Sequence, residues 1–153
     1  RAYALAFAAD GRLAVTGDAV VGFYANPEAP APVAQSPLKS DWAAAVAFVP
    51  GTPTAVVGAS SWLYFVNATR PERPRTVKTG FLNVTGIAAP ADGRVVYVGG
   101  RPSGVEVYEA GSAKQVARYD FGLGGVNAVA VSPDGLTVAA GGDDGLAVID
   151  REA

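Results

Sequence analysis

The sequence predicts an all-β chain built from four copies of one small antiparallel sheet. Two observations carry this prediction: one residue pattern returns every 41 or 42 positions, and no stretch shows sustained helical periodicity. A third observation is the supply of turn-forming residues, 19 Gly and 11 Pro among 153 residues. Short strands need frequent turns, and these two residue types form them at least cost.

The repeat is clearest where a hydrophobic residue precedes an alanine at the start of each copy. These hydrophobic residues are separated by 41, 41 and 42 positions and are Leu5, Val46, Ile87 and Val129. A glycine returns ten or more residues later with the same steps, at Gly17, Gly58, Gly99 and Gly141. Each copy then closes on a polar residue: Asn26, Asn67, Glu109 and Asp150. The closing residues are separated by 41, 42 and 41 positions, so the extra position appears one copy earlier than in the glycine series. This difference predicts one extra residue in the middle turn of the third copy, between its glycine and its closing residue.

Each copy has the pattern of three short strands followed by a more polar fourth segment. The strand positions are rich in Val, Leu, Phe and Tyr, which suit a pleated, half-buried surface. The first turns contain a Gly that tolerates the positive φ of a tight turn, in Asp10-Gly11, Pro50-Gly51, Asp92-Gly93 and Asp134-Gly135. The polar segments, residues 31–38, 75–81 and 114–121, carry Pro, Lys and Arg, which suit an exposed edge strand.

Four antiparallel strands per repeat of this length indicate β-propeller blades. We assign the repeats to residues 1–41, 42–82, 83–124 and 125–153, with inner strands near 3–8, 44–49, 85–89 and 127–132. The last repeat is incomplete, because its residues supply three strands. The chain is therefore predicted to be part of a larger propeller. A β-sandwich is the alternative, although a sandwich does not require constant spacing.

The repeat also predicts which residues are buried and which lie at the ends of the arc. One repeat position, expected to be buried between adjacent blades, holds Phe7, Phe48, Ala89 and Val131. An open arc would also expose apolar faces at both ends, with Tyr3, Leu5 and Phe7 at one end and Val129, Val131 and Val148 at the other. Such faces call for the remaining blades or for self-association.

Residues 126–150, VNAVAVSPDGLTVAAGGDDGLAVID, resemble a WD40-type repeat through SPDG in the first turn, GGDDG in the second and a closing acid. No repeat closes on Trp-Asp and the chain has no His, so the resemblance does not extend to the family's Asp-His-Ser/Thr-Trp network. Residues 63–79, LYFVNATRPERPRTVKT, instead resemble the bacterial LVIVD-type propeller repeat. SPDG turns also occur in YVTN-type and lactonase-type propellers. A WD40-like chain would favour the cytoplasm and an LVIVD-like chain an extracytoplasmic place, so localisation stays open.

Composition excludes several classes of function. The chain has neither Cys nor His, which excludes thiolate or imidazole metal sites and Ser-His-Asp catalysis. A net charge of −2 gives no electrostatic footprint for nucleic acid. No apolar run approaches the roughly 20 residues of a membrane helix. We therefore expect no cofactor, no metal site and no catalytic residue in this segment.

The candidate binding surface comes from propeller geometry. Linkers into first strands and turns between second and third strands emerge on one rim, and loops held by rigid strands commonly carry binding. Trp and Arg are favoured anchors of protein interfaces, and both Trp residues of the chain fall on this rim. The predicted partner-binding residues are Lys39, Asp41, Trp42, Trp62, Arg101, Asp143 and Asp144. The alternative for either Trp is packing between blades.

Two functions fit these observations. The leading hypothesis is a non-enzymatic interaction module whose rim binds a protein or peptide. The alternative is a fragment of a propeller enzyme, of the lactonase or hydrolase type, whose catalytic or metal residues lie outside this segment. The inner strands of a propeller line its central channel, and here they carry Ala and aliphatic residues with few acids. This composition favours the interaction module.

Overall fold

The computed structural model describes residues 1–40 and 42–151, and within them it contains fifteen β-strands and no helix. The strands are β1 (Ala2–Phe7), β2 (Leu13–Gly17), β3 (Val20–Tyr24), β4 (Ala34–Pro37), β5 (Ala43–Phe48), β6 (Thr54–Ala59), β7 (Trp62–Asn67), β8 (Arg75–Lys78), β9 (Asn83–Ala88), β10 (Val95–Arg101), β11 (Val105–Glu109), β12 (Gln115–Tyr119), β13 (Val126–Val131), β14 (Thr137–Gly142) and β15 (Gly145–Asp150). Residues 1–40 and 42–151 include no helix that could cross a membrane.

The strands form four antiparallel sheets in sequence order, which we call blades 1 to 4. Blades 1, 2 and 3 have four strands each (β1–β4, β5–β8 and β9–β12), and blade 4 has three (β13–β15). The inner strands contact one another in turn, β1 with β5, β5 with β9 and β9 with β13. The predicted propeller architecture is therefore confirmed, with inner strands that begin one or two residues earlier than the pattern indicated.

The strand register refines the repeat. Three residues, at positions 102–104, separate β10 from β11, against two in the other blades, which confirms the extra residue predicted in the third copy. The first turn of blade 1 is one residue shorter than its counterparts, because Phe7 pairs with Leu13 whereas Val131 pairs with Val138. As a result, Thr16, and not Gly17, occupies the place that Gly58, Gly99 and Gly141 hold in the later blades.

The first turns have the conformation that their sequences predict. Their glycines have positive φ of 88°, 76°, 66° and 72° at Gly11, Gly51, Gly93 and Gly135. In three of the turns the aspartate accepts a hydrogen bond from the backbone N–H two residues later, for example from Arg94 to Asp92 at 3.0 Å. That bond is the main cause that lowers the pKa of Asp92. These aspartates therefore shape turns.

The hydrophobic core is divided among the contacts between successive blades. Phe48 is 8% exposed and its ring centroid lies 6.2 Å from that of Phe23 in blade 1. Ala89 and Val131 are half-buried. Phe7, in contrast, is 59% exposed. The prediction that it is buried between blades was therefore wrong, and its exposure agrees with the expectation that it lies on the end face of the first blade. Among residues 1–40 and 42–151, no sheet packs on that side of blade 1, so the same repeat position faces solvent there.

The end faces also differ in part from the prediction. Leu5 and Phe7 are exposed at the first blade as expected, whereas Tyr3 is half-buried and donates a hydrogen bond to Asp18. At the last blade, Val148 is exposed, but Val129 and Val131 pack against the core shared with blade 3. Side chains on paired positions share a face of the sheet. Val129 pairs with Ala140 and Val131 pairs with Val138, whereas Val148 pairs with Ala139, so Val148 lies on the opposite face from the other two valines.

A buried carboxylate joins blade 3 to the linker before it. Glu106 on β11 is 1% exposed and accepts hydrogen bonds from the Gly80 N–H at 2.9 Å and the Tyr108 hydroxyl at 3.1 Å. Arg118 on β12 donates to the same carboxylate at 3.1 Å. Burial, followed by the charge of Glu106, raises the pKa of the Tyr108 hydroxyl well above its usual value. The network ties residues 79–81 to the two outer strands of the blade.

Two buried hydroxyls give a matched pair of stability predictions. Ser36 on β4 is fully buried and its Oγ has no hydrogen-bond partner among the described residues. The Thr16 hydroxyl, also fully buried, donates to the Ala43 carbonyl at 2.7 Å and so links blades 1 and 2. Removing an unpartnered hydroxyl leaves no orphaned group, whereas removing a partnered one does.

We expect Ser36→Ala to leave the free energy of unfolding unchanged or to raise it by up to about 1 kcal/mol, and Thr16→Val to lower it by about 1–3 kcal/mol. Denaturant titration of both variants measures the difference. A loss above about 1 kcal/mol for Ser36→Ala would contradict this reading of the Ser36 hydroxyl.

Candidate functional site

The strand register places the predicted rim residues on one side of the sheets. The first residue of each of the inner strands β5, β9 and β13 pairs with the last residue of its neighbouring strand: Ala43 with Ala59, Asn83 with Arg101, and Val126 with Gly142. The linkers into inner strands therefore lie beside the turns between second and third strands. The Ser40 and Ser60 hydroxyl oxygens, 2.8 Å apart, show this contact directly. The first turns lie at the opposite end of the strands.

Trp42 and Arg101 line one small pocket on this rim. Trp42 is 58% exposed, which is unusual for the largest apolar side chain. The pocket has a volume of about 130 Å³, and its other lining residues are Ala44, Ser60, Asn83, Val84 and Thr85. It spans blades 2 and 3 where their inner strands begin. The structure therefore places in one pocket two of the residues that the sequence analysis assigned to this rim.

Arg101 is held in place by a network that reaches blade 4. Its guanidinium binds the Asp143 carboxylate through two nitrogens, at 2.9 and 3.1 Å, and donates to the Asn127 side chain at 2.8 Å. Asn127 in turn donates to Asp143 at 3.0 Å, and the Gly125 N–H donates to the same carboxylate at 3.2 Å. Paired bonds of this kind fix the plane of the guanidinium. The network thus orients Arg101 at the edge of the pocket.

The same network sets the charge state of Asp143. The hydrogen bond from Asn127, and after it the bonds from Arg101, lower the pKa of the Asp143 carboxyl below its ordinary 3.8. Because the pKa is lowered in the folded state, the ion pair contributes its full stabilisation at pH values above the ordinary carboxyl pKa. This stabilisation is lost as the pH falls through the folded-state pKa. Arg101 therefore stays oriented at neutral and mildly acidic pH.

Trp62 occupies a different environment from Trp42. It is half-buried and packs against the core between blades 1 and 2. The Lys78 ammonium lies 5.4 Å from the centroid of its ring, within the range of a cation–π contact. Trp62 therefore combines packing between blades, the alternative left open by the sequence, with a partly exposed ring on the rim.

Two other predicted residues, Lys39 and Asp144, lie outside the Trp42 pocket. Lys39 is exposed, and its N–H donates to the Tyr64 hydroxyl at 3.2 Å. Asp144 is exposed, and its N–H donates to the Leu123 carbonyl at 3.0 Å. Asp41 lies outside the described residues. Binding by any of the seven stays a prediction.

The structure adds two polar residues that the sequence analysis missed. Asn127 orients both members of the Arg101–Asp143 pair, and Asn83 lines the Trp42 pocket. Both stand at the start of inner strands, where the other blades carry different residue types, so the repeat pattern gave no signal for them. Among residues 1–40 and 42–151, no three acidic, His or Cys side chains lie together in a way that could hold a metal ion.

Comparison with known proteins agrees with this architecture. Residues 115–149, from β12 into β15, match the WD40 family, described as WD domain, G-beta repeat. The comparison with curated proteins finds no significant match. Among solved structures, the chain is similar to one titled "Kuenenia stuttgartiensis Hydrazine Synthase", with a TM-score of 0.88 and 19% sequence identity. The alignment covers 99% of this chain and 46% of that chain, so this chain spans about half its length.

A likeness at 19% identity is one of fold alone. The family match includes residues 126–149 of the segment that resembles a WD40-type repeat in sequence, begins at the outer strand β12 and ends within the last strand of blade 4. The chain is a series of β-propeller blades, and its residues 115–149 are similar to the WD40 repeat.

Proposed function

We propose that this chain is a non-enzymatic interaction module that binds a protein or peptide through the rim around Trp42 and Arg101. The observation that carries the proposal is the exposed Trp42 ring beside a pocket whose other wall includes a firmly oriented arginine. A large aromatic side chain and an arginine at a concave site are the usual composition of an interface hot spot. WD40 repeats also commonly mediate protein interactions.

The orientation of Arg101 supports binding because it lowers the entropic cost of the contact. A mobile arginine loses rotamer freedom when a partner fixes it, at about 0.5–1.5 kcal/mol for an interface side chain. Here Asp143 and Asn127 already fix the guanidinium. The ion pair with Asp143 also neutralises part of the Arg101 charge. This favours contact with a neutral polar group of the partner over a strongly acidic one.

The pocket indicates the kind of segment that fits. Its volume of about 130 Å³ and the side chains of Ala44 and Val84 suit a single aliphatic side chain. Ser60 and Asn83 at its wall offer hydrogen bonds to backbone groups beside that side chain. We therefore propose an extended peptide segment with one aliphatic anchor as the bound element.

Selection from a phage-displayed random peptide library tests this function. Peptides are selected on the wild-type chain and then measured against Trp42→Ala and Arg101→Ala. We expect each variant to weaken binding by at least about 1 kcal/mol, roughly fivefold, because both side chains line the pocket. Circular dichroism checks that both variants keep the fold.

Val116→Ala is the matched control, since Val116 is an exposed apolar residue on the outer strand β12. We expect it to leave binding unchanged. Peptides that bind the double variant of Trp42 and Arg101 as tightly as the wild type would show that the contact lies elsewhere.

A further inference from the structure

A second pocket lies between blades 2 and 3, at the end of the strands opposite the rim. It has a volume of about 200 Å³, and we call it the arginine pocket because Arg73 and Arg75 both line it. Thr54 begins β6 and pairs with Asn67, the last residue of β7, which places both beside the first turn of blade 2. Gly111 lines the pocket from the turn between β11 and β12 of blade 3. Each of these two blades has a further blade on its other side.

The strand register turns the polar side chains of blade 2 toward blade 3. Phe65 is buried in the core between these two blades. Asn67 lies two residues further along β7 and therefore on the same face. Arg75 on β8 pairs with Phe65 and shares that face as well. The pocket thus combines one buried ring with polar groups at its opening.

Arg75 crosses to blade 3 and binds a neutral group there. Its Nη1 donates a hydrogen bond to the Gly111 carbonyl at 2.7 Å. Within the described part of the chain, neither Arg75 nor Arg73 forms an ion pair with a carboxylate. A carbonyl orients the guanidinium but leaves its charge uncompensated, unlike the Asp143 carboxylate that binds Arg101.

The repeat does not account for this arginine. At the register position of Arg75, the outer strands β4 and β12 carry Ala34 and Ala117. Blade packing therefore does not require a charged side chain there. None of the described residues that line the pocket is acidic. The neighbouring Glu109 alternates with Tyr108, which packs between blades 2 and 3, so the Glu109 side chain lies on the opposite face.

Two neutral donors accompany the arginines. The Asn67 Oδ1 accepts hydrogen bonds from the Thr69 N–H at 2.9 Å and from the Thr69 hydroxyl at 2.6 Å. These bonds orient the amide, whose nitrogen has no partner among residues 1–40 and 42–151. The Thr54 hydroxyl also lacks a partner among these residues. The pocket therefore offers two cations and two uncharged donors to one ligand.

We propose that the arginine pocket binds a phosphate monoester group. Two arginines without a competing acid favour a dianion over a singly charged carboxylate. A phosphate monoester carries about −1.5 to −2 charges near neutral pH and has three acceptor oxygens, and the arginine fork matches its geometry. The volume of about 200 Å³ is below that of pockets for drug-sized ligands, roughly 300–1,000 Å³, and suits a single such group. This site goes beyond the proposed function, because it lies at the other end of the strands.

Titration of the full-length protein with inorganic phosphate, followed by phosphorus NMR at constant ionic strength, tests the proposal. We expect Arg73→Gln and Arg75→Gln each to weaken phosphate binding at least roughly fivefold, because each removes a charge-assisted donor. Arg70→Gln is the matched control, since Arg70 is exposed in the same turn but does not line the pocket. It removes the same charge and should leave binding unchanged. Circular dichroism checks that the three variants keep the fold.

Three outcomes would overturn the proposal. The first is phosphate binding that neither pocket variant weakens, which would show an adventitious ion only. The second is an equal loss in all three variants, which would show a general effect of charge. The third is displacement of phosphate by acetate at equal concentration. Trp42→Ala should leave phosphate binding unchanged, so failure of this proposal and failure of the proposed function are distinguishable.

Two further probes identify the source of the phosphate group. One is a library of peptides that share a central phosphoserine, and the other is free phosphoserine. Peptides that displace inorganic phosphate more strongly than free phosphoserine would assign the pocket to a phosphorylated protein segment. Equal displacement would assign it to a small phosphorylated molecule, and both results support the proposal. Failure of both probes to displace phosphate would contradict it.

Discussion

Phe48→Ala is expected to lower the free energy of unfolding by about 3–5 kcal/mol. Phe48 is the last residue of β5, is 8% exposed and packs against Phe23 of the preceding blade. Truncation to Ala removes the apolar ring that packs on Phe23 between blades 1 and 2. It also leaves a cavity between the two sheets, which adds to the loss. Denaturant titration, with circular dichroism as the probe, measures the loss.

Phe7→Ala is the matched control for this prediction. Phe7 holds the same repeat position on β1 but is 59% exposed. Because its side chain is largely exposed, we expect a loss below about 1 kcal/mol. Equal losses for the two phenylalanines would contradict the packing of blade 2 on blade 1.

Glu106→Ala is expected to lower the free energy of unfolding by about 3 kcal/mol. The substitution removes the acceptor for the Gly80 N–H and for the fully buried Tyr108 hydroxyl. Each group left unsatisfied in the interior costs about 1–3 kcal/mol. The lost contact with Arg118 adds less to the loss of stability, because the Arg118 side chain is 38% exposed and can be hydrated when Glu106 is removed.

Glu109→Ala controls for the loss of a carboxylate from the same strand. Glu109 is exposed at the end of β11, and its removal should change stability by less than about 0.5 kcal/mol. If the Glu106 variant unfolds with a loss below about 1 kcal/mol, the buried network does not hold the linker as described.

The repeat made the fold predictable, because hydrophobic alternation and turn residues act locally and recur in every copy. The four Gly-containing first turns and the extra residue between β10 and β11 could both be located from spacing alone. Burial was less predictable, since it depends on neighbours. Phe7 and Phe48 hold the same repeat position after an alanine, yet within the part of the chain that the structure describes only Phe48 has a blade packed against it.

The polar networks could not be predicted from one sequence. A charged residue within the apolar strand VEVYE is a signal that Glu106 needs a partner. The identity of that partner depends on the pairing of β11 with β12, which places Arg118 opposite Glu106. Asn127 gave no signal because a small exposed amide is common in loops, and its role appears only when blades 3 and 4 are placed side by side.

Site-specific photo-crosslinking tests the rim as the binding surface most directly. A photoreactive phenylalanine analogue replaces either Trp42 or Leu136, which is exposed beside the first turn at the opposite end of blade 4. Each protein is irradiated with a peptide selected on the wild-type chain. We predict crosslinks from position 42, mapped by mass spectrometry, and none from position 136. Crosslinks from position 136 alone would show that the chain binds through the face of the Asp-Gly turns, and would contradict the proposed function.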